Sequence, residues 1–342
     1  MITFVDECND IVSIVQDLLS QNQEWNKRYE KYSHTIDVKN KLDQIISNKR
    51  RFREWKPLYL YLTLGQAMGK MMFSLRYRGQ DVAKLSVGKD KITIDTDKYA
   101  ENNKDHFGCK VKLTNCEWTS KEAQAFRKSF SNHPIREKSK KENEEHRLES
   151  LLLTEFTKKI SKGKCILNIQ PVRIANVARF QLPTPLKASE VSKTAYAFWN
   201  GGGIDIISRI GIGRATRLCI MEVKDENTSK EPPAKVILQG LAYAKFVRDL
   251  LRSNSGDKWW NIFGFKGKCP KTIDISVVCV MPSTSNDDTS FEGEIIKAAT
   301  DSSDTFHLHY LYFTEENNII TDMKTSLPQC KVKADLSECN QK

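Results

Sequence analysis

Apolar residues recur at helical spacing from the first positions of the chain. Phe4, Ile11, Ile14, Val15, Leu18 and Leu19 share one face, and Leu42, Ile45 and Ile46 open a second. The run Leu58–Leu64 fits a helix or a strand equally well. From Met72 to Ile94 the period shortens. Phe73–Tyr77, Val82–Val87 and Lys91–Ile94 read as strands parted by turns at Arg-Gly-Gln and Gly-Lys-Asp. Thr119 or Ser120 can cap a helix through Phe130 that Pro134 closes. Residues 136–147 are almost wholly charged and read as a linker entering a further helix, which continues from Leu148 to Phe156.

After Gly163 the pattern is β-like. Cys165–Ile174 reads as a strand, residues 181–187 as a proline-containing loop, and Ile204–Ile210 and Arg217–Lys224 as two strands about a Gly211–Gly213 turn. Pro232 and Pro233 sit where a helix start tolerates proline. The helix that follows, Val236–Leu251, is apolar on more than one face and should be covered on two sides. Ile273–Met281 reads as a buried strand and Phe306–Phe313 as the last one. This order argues for a mixture of α+β and α/β structure rather than a strictly alternating doubly wound sheet. The expected organisation is an α+β accessory domain over 1–131, a second domain over 138–315 and a tail over 316–342.

Composition narrows the class. The chain has 342 residues, 39% of them hydrophobic and 28% charged, enough for a sizeable core. No apolar stretch is long enough to span a bilayer, and the acidic N-terminus lacks a secretory n-region, so a cytoplasmic protein without membrane contact is expected. Nine cysteines, none in a Cys-x-x-Cys pair, argue against a zinc ribbon and fit free thiols. The net charge of +11 is uneven: residues 151–200 carry eight Lys/Arg against two acids, whereas 301–342 carry four against seven. A basic zone of this kind favours a polyanion such as nucleic acid.

The candidate chemistry lies between Gly203 and Tyr243. Strand side chains alternate, so Glu222 and Lys224 share a face with Leu218 and Ile220 and emerge at the strand's end. If the two strands pair about their turn, Asp205 lands opposite residues 222–224. Asp205, Glu222 and the Val223 carbonyl are then hard oxygen ligands suited to Mg²⁺ or Mn²⁺. Lys224 could orient or deprotonate a water, or stabilise charge. Gln239 and Tyr243, four apart on the next helix, project together and can hydrogen-bond phosphate or brace the lysine. Glu149 is a candidate further carboxylate, with Glu145 and Glu155 as rivals. Glu-x-Lys alone says little, because Glu54–Lys56 repeats it and Asp37–Lys39 and Asp322–Lys324 are close variants.

Asp205, Glu222-Val-Lys224 and Gln239-x-x-x-Tyr243 together resemble the PD-(D/E)XK nuclease superfamily with the extension seen in RecB-type nuclease domains. The resemblance covers residues 138–282. Ile204 stands where the eponymous proline would be. It implies a restriction-endonuclease-like αβββαβ core, a mixed sheet flanked by helices, and a metal-dependent nuclease. Asp205, Glu222, Lys224, Gln239 and Tyr243 would be catalytic; Asp205, Glu222, Val223 and Glu149 would hold the metal. DNA is favoured over RNA as partner, and an endonuclease of restriction or anti-invader type over an end-directed repair or recombination nuclease. A non-catalytic nucleic-acid-binding protein of the same fold is the alternative class, and a homodimer is compatible with either. The resemblance does not extend to residues 1–130.

Three other features have competing readings. Asn200-Gly-Gly-Gly203 could approach a phosphate or form a tight turn. Trp259, Trp260, Phe263 and Phe265 lie among Lys258, Lys266 and Lys268 and could stack bases from a loop or pack on the sheet. His307 and His309 share a strand face without an evident third metal ligand.

Overall fold

A computed structural model describes residues 2–35, 39–51, 55–64, 71–88, 90–96, 107–109, 111–131, 143–161, 164–188 and 193–328. Residues 132–137 of the expected boundary, most of the charged run, Asp37, Glu54 and the Leu42 side chain fall outside them. The architecture is mixed, helices with antiparallel and parallel strands. The chain divides into two compact units: residues 1–33, 151–172 and 181–342 form one, and 34–150 with 173–180 form the other.

Two helices, α1 (Phe4–Gln21) and α2 (Glu24–Thr35), open the chain. Thr3 caps α1 by accepting the Asp6 N–H while Asp6 returns the bond, two orphan donors satisfied at once. The second unit then begins with α3 (Lys39–Arg51) and the antiparallel strands β1 (Tyr59–Leu64), β2 (Met71–Tyr77), β3 (Gln80–Val87) and β4 (Ile92–Asp95). The ambiguous 58–64 run is thus a strand, its register set by pairing with β2. Arg78 and Gly79 turn the chain with φ of 50° and 79°, and a side chain at Gly79 would overlap the His146 carbonyl. Helix α4 (Lys121–Ser131) starts where expected, with Ser120 Oγ accepting the Ala123 N–H at 3.1 Å. Phe126 and Phe130 bury its inner face with Tyr77 and Phe107.

The cut between units falls within α5 (Glu144–Phe156) and again within β6 (Ala178–Pro183), so two predicted boundaries change. Residues 1–33 do not belong to an accessory domain. Residues 181–187 are not simply a loop either, since Leu182 and Pro183 are paired with Ile204 and Gly203. The predicted strand Cys165–Ile174 is also broken. Leu167 and Asn168 adopt left-handed φ of 53° and 54°, leaving β5 (Ile169–Pro171) as its central piece.

The first unit is built on a seven-stranded mixed sheet. After β7 (Gly203–Ile204) come β8 (Ile206–Ile210) and β9 (Arg217–Val223). Strands β5, β8 and β9 are successive antiparallel neighbours. Helix α6 (Pro233–Arg252) then crosses over, followed by the short helix α7 (Gly256–Ile262) and β10 (Asp274–Pro282), which is parallel to β9. The sheet ends with β11 (Ile295–Lys297), β12 (Thr305–Glu316) and β13 (Ile319–Thr325), β12 being parallel to β10. The 316–342 tail is therefore corrected: residues 319–325 are a strand on β12, because Ile320 and Met323 bury there, and 329–342 lie outside the described residues.

Helix α6 explains why residues 1–33 join this unit. One side lies on the sheet, and Phe246 on another packs edge-on against Trp25 and Tyr29. Lys245, wholly buried, bonds Gln16 and, at 2.6 Å, Asp249. The first part of the aromatic-lysine segment is helical and belongs to the same packing, while Phe265, Lys266 and Lys268 lie in the loop after it. Trp259 on α7 and Phe263 just after it are buried, with Trp259 donating to the Tyr29 carbonyl at 3.3 Å. Each such ring contributes about 1.5–3 kcal/mol of burial.

Candidate active site

The β8–β9 register pairs Ile206 with Met221 and Ile207 with Ile220. Continued by one step, it sets Asp205 opposite Glu222. There the Asp205 Oδ2 accepts the Val223 N–H at 2.8 Å, which anchors the carboxylate between Glu222 and Lys224. β9 is buried along almost its whole length, so its charged end is costly unless paired. Lys224 Nζ donates to Glu222 Oε1 at 3.1 Å, with Glu222 only 2% and Lys224 7% exposed. The Lys224 N–H continues the ladder to the Val280 carbonyl at 3.0 Å. The pair thus sits at the C-terminal edge of two parallel strands.

Helix α6 roofs this edge. A Cβ on Gly240 would lie 3.1 Å from Val277 Cγ1 and 3.6 Å from Glu222 Cβ, so the helix comes closest where it has no side chain. Tyr243 is buried beside the site. Burial, and then the charge of Glu222, push its phenol well above the ordinary range, while a hydrogen bond with Gln239 opposes the shift. Asp205 and Lys224 also act on it electrostatically. The structure thereby brings Asp205, Glu222, Lys224, Gln239 and Tyr243 together. Tyr243 is a neutral donor across the physiological range. Cys279, paired with Glu222 in register, is held as a thiol by burial first and by Glu222 second, so it offers no thiolate.

Glu149 belongs to the other unit, 4% exposed, where its charge acts on Arg76. Among the described residues no group of three or more His, Cys, Asp or Glu stands together as a metal centre. His307 accordingly bonds Thr305 Oγ1 at 3.0 Å, and His309 lies buried against Ser326. The Asp205–Glu222 pair fits a hard divalent ion by its own chemistry. Two carboxylates in a mostly buried place offer the hard oxygen donors that such an ion takes.

The glycine run that the sequence marked makes room for this arrangement. Gly202 faces the Tyr243 hydroxyl: a Cβ there would overlap the oxygen and lie 3.1 Å from Cζ. Gly201 likewise abuts the Thr184 carbonyl. The glycine triplet before Asp205 was the available signal, and close packing is what it serves. Asn227, 3% exposed, donates to the Pro282 carbonyl at 3.2 Å and to Asp287 at 3.0 Å, tying together the loops after β9 and β10. No sequence signal marked it. Gly202→Ala should cost about 1–3 kcal/mol by overpacking. In a denaturant double-mutant cycle, Tyr243→Phe should recover part of that loss; strictly additive losses would show that the two positions do not touch.

No protein-family model matches the chain, no curated protein matches it, and no solved structure matches its fold. Among the described residues no helix is long and apolar enough to cross a membrane.

Proposed function

We propose that the protein is a metal-dependent nuclease with a restriction-endonuclease-like core. The observation that carries the reading is the convergence of Asp205, Glu222, Lys224, Gln239 and Tyr243 at one strand edge. The order of helix, three-strand antiparallel meander, crossover helix and parallel strand supports the same reading. Asp205 and Glu222, with the Val223 carbonyl, would hold Mg²⁺ or Mn²⁺. When bound, the ion supplies charge neutralisation at phosphorus and a water of lowered pKa. Asp205 is held in place by the Val223 N–H, and Lys224 places a positive charge 3.1 Å from Glu222, where negative charge develops in phosphodiester cleavage. Tyr243 keeps its proton and would donate a hydrogen bond to an oxygen of the substrate, oriented by Gln239. DNA is the proposed substrate, cut internally by an enzyme of restriction or anti-invader type.

The test uses purified protein with linear, circular and single-stranded DNA and with RNA, in Mg²⁺ or Mn²⁺ and in EDTA. Cleavage should require the metal and fall at least ~10²-fold in Asp205→Asn, which keeps an oxygen for the Val223 N–H but loses charge. Wild type that leaves every substrate intact in both metals would overturn the reading. Cleavage of linear but not circular DNA would instead favour an end-directed enzyme.

A further inference from the structure

The segment that leads into Asp205 also carries an exposed tryptophan on a rigid mount. Trp199 is 41% exposed. Arg28 from α2 lies over its ring at 5.0 Å, and Phe198 meets the ring edge-on at 4.3 Å. Arg28 is itself fixed. It is 8% exposed, donates to the Phe198 carbonyl and to the Tyr32 hydroxyl at 2.9 Å, and lies over the Tyr29, Tyr32 and Phe198 rings. One side of the indole is therefore occupied by a buried cation, and 41% of the residue stays open to solvent. A ring held this way loses little conformational entropy when something stacks on it.

Its place in the fold ties the ring to the site. Three residues on, Gly202 abuts the Tyr243 hydroxyl. The same segment is pinned by the Gly202 N–H to the Leu186 carbonyl and by the Thr184 N–H to the Gly202 carbonyl, both at 2.7 Å. Three residues reach at most about 10 Å, or roughly three nucleotides at 3.4 Å per step. Exposed Lys187, one residue beyond that pin, supplies positive charge on the strand that pairs with Ala195 and Tyr196.

We infer that Trp199 is a stacking platform for an unpaired nucleobase beside the Asp205–Glu222 site, so that the substrate presents a single-stranded or locally splayed strand there. The inference rests on the nuclease reading for its account of the neighbouring site. The platform itself depends only on a strand with exposed bases. A paired duplex keeps its base faces covered by neighbouring bases, whereas an unpaired strand offers them, and stacking on an aromatic side chain is worth about 1–3 kcal/mol per base.

The experiment compares a fluorescein-labelled twelve-nucleotide oligothymidylate with an abasic oligomer of equal length and charge. Affinity is read by anisotropy, in EDTA and again in Ca²⁺, for wild type, Trp199→Ala and Trp199→Phe. Wild type should prefer the base-bearing strand by about tenfold, as one stacked base implies. Trp199→Ala should lose that preference without weaker binding of the abasic strand, and Trp199→Phe should keep most of it. Preference within twofold of wild type in Trp199→Ala, or no preference in wild type, overturns the platform. Cleavage in Mg²⁺ is scored separately. If wild type cuts nothing yet Trp199→Ala loses the preference, the platform stands and the nuclease reading falls. If wild type cuts and Trp199→Ala changes neither KM nor preference, the reading stands and the platform falls. With both correct, Trp199→Ala raises KM for the unpaired strand and leaves kcat within about twofold, because stacking is equal in ground and transition states.

Discussion

Lys224→Ala is expected to abolish cleavage while leaving a protein that a divalent ion can restabilise. Lys224 is 7% exposed and faces a carboxylate that is 2% exposed at 3.1 Å. Removing one partner of a buried ion pair costs about 3–5 kcal/mol, mostly because the remaining charge keeps its desolvation penalty. Asp205 brings a second carboxylate from the facing strand, bonded to the Val223 N–H. In EDTA the variant should therefore unfold at markedly lower denaturant than wild type. Mg²⁺ or Mn²⁺ should recover more stability in the variant than in wild type, since the ion now meets two carboxylates without the competing ammonium. Activity should not return with stability. A positioned cation that meets developing charge is worth about 10²–10³-fold in rate, and a compact lysine is not replaced by water. Denaturant titrations with and without metal, beside cleavage at saturating metal, separate the two effects. Cleavage within about tenfold of wild type would remove Lys224 from the chemistry.

Asp304→Ala is expected to have the largest effect on stability away from the site. Asp304 is 1% exposed at the start of β12. Its Oδ2 accepts from Arg248 Nε at 2.7 Å and Arg252 Nε at 2.9 Å, and its Oδ1 accepts from Arg252 and from the Ile273 N–H at 2.9 Å. One carboxylate thus joins the last turns of α6 to the entries of β10 and β12. Alanine leaves two guanidinium groups and a buried N–H short of their acceptor, for a cost of about 3–5 kcal/mol. Burial would raise the carboxyl's pKa, but the bonds from Arg252, Ile273 and Arg248 outweigh it and lower the value from 3.8 to about 2. The folded value is depressed, so the carboxylate's contribution is complete above the unfolded value and is lost as pH falls from about 4 toward about 2. Wild type should approach the stability of Asp304→Ala across that window. A constant gap from pH 6 to pH 2 in denaturant midpoints would refute the assignment.

The sequence showed the site more clearly than the domain plan. Asp205, Glu222 and Lys224 were legible because strand alternation and a glycine turn constrain which residues can meet. Gln239 and Tyr243 followed from helical spacing. The bend at Leu167 and Asn168 was not legible, since leucine at φ 53° has no sequence mark. The aromatic-lysine segment misled because Trp259 and Phe263 are buried while Lys258, Lys266 and Lys268 are exposed, a pattern that also suits a basic loop. The largest error, residues 1–33, had its clue elsewhere. Helix α6 was too apolar for one sheet to cover, and the cover came from the far end of the chain.

That cover has a consequence in time. Gln16 and Lys245 are 229 positions apart, yet they bond in the folded unit. At ordinary rates of translation, roughly 10–50 s separate the synthesis of α1 from that of the helix it clothes. Through that interval the apolar stripe of α1, with Ile11, Val15 and Leu19, has no finished surface to bury against. The α1 segment thus has no finished partner surface until α6 has been made, and its docking there follows the synthesis of α6.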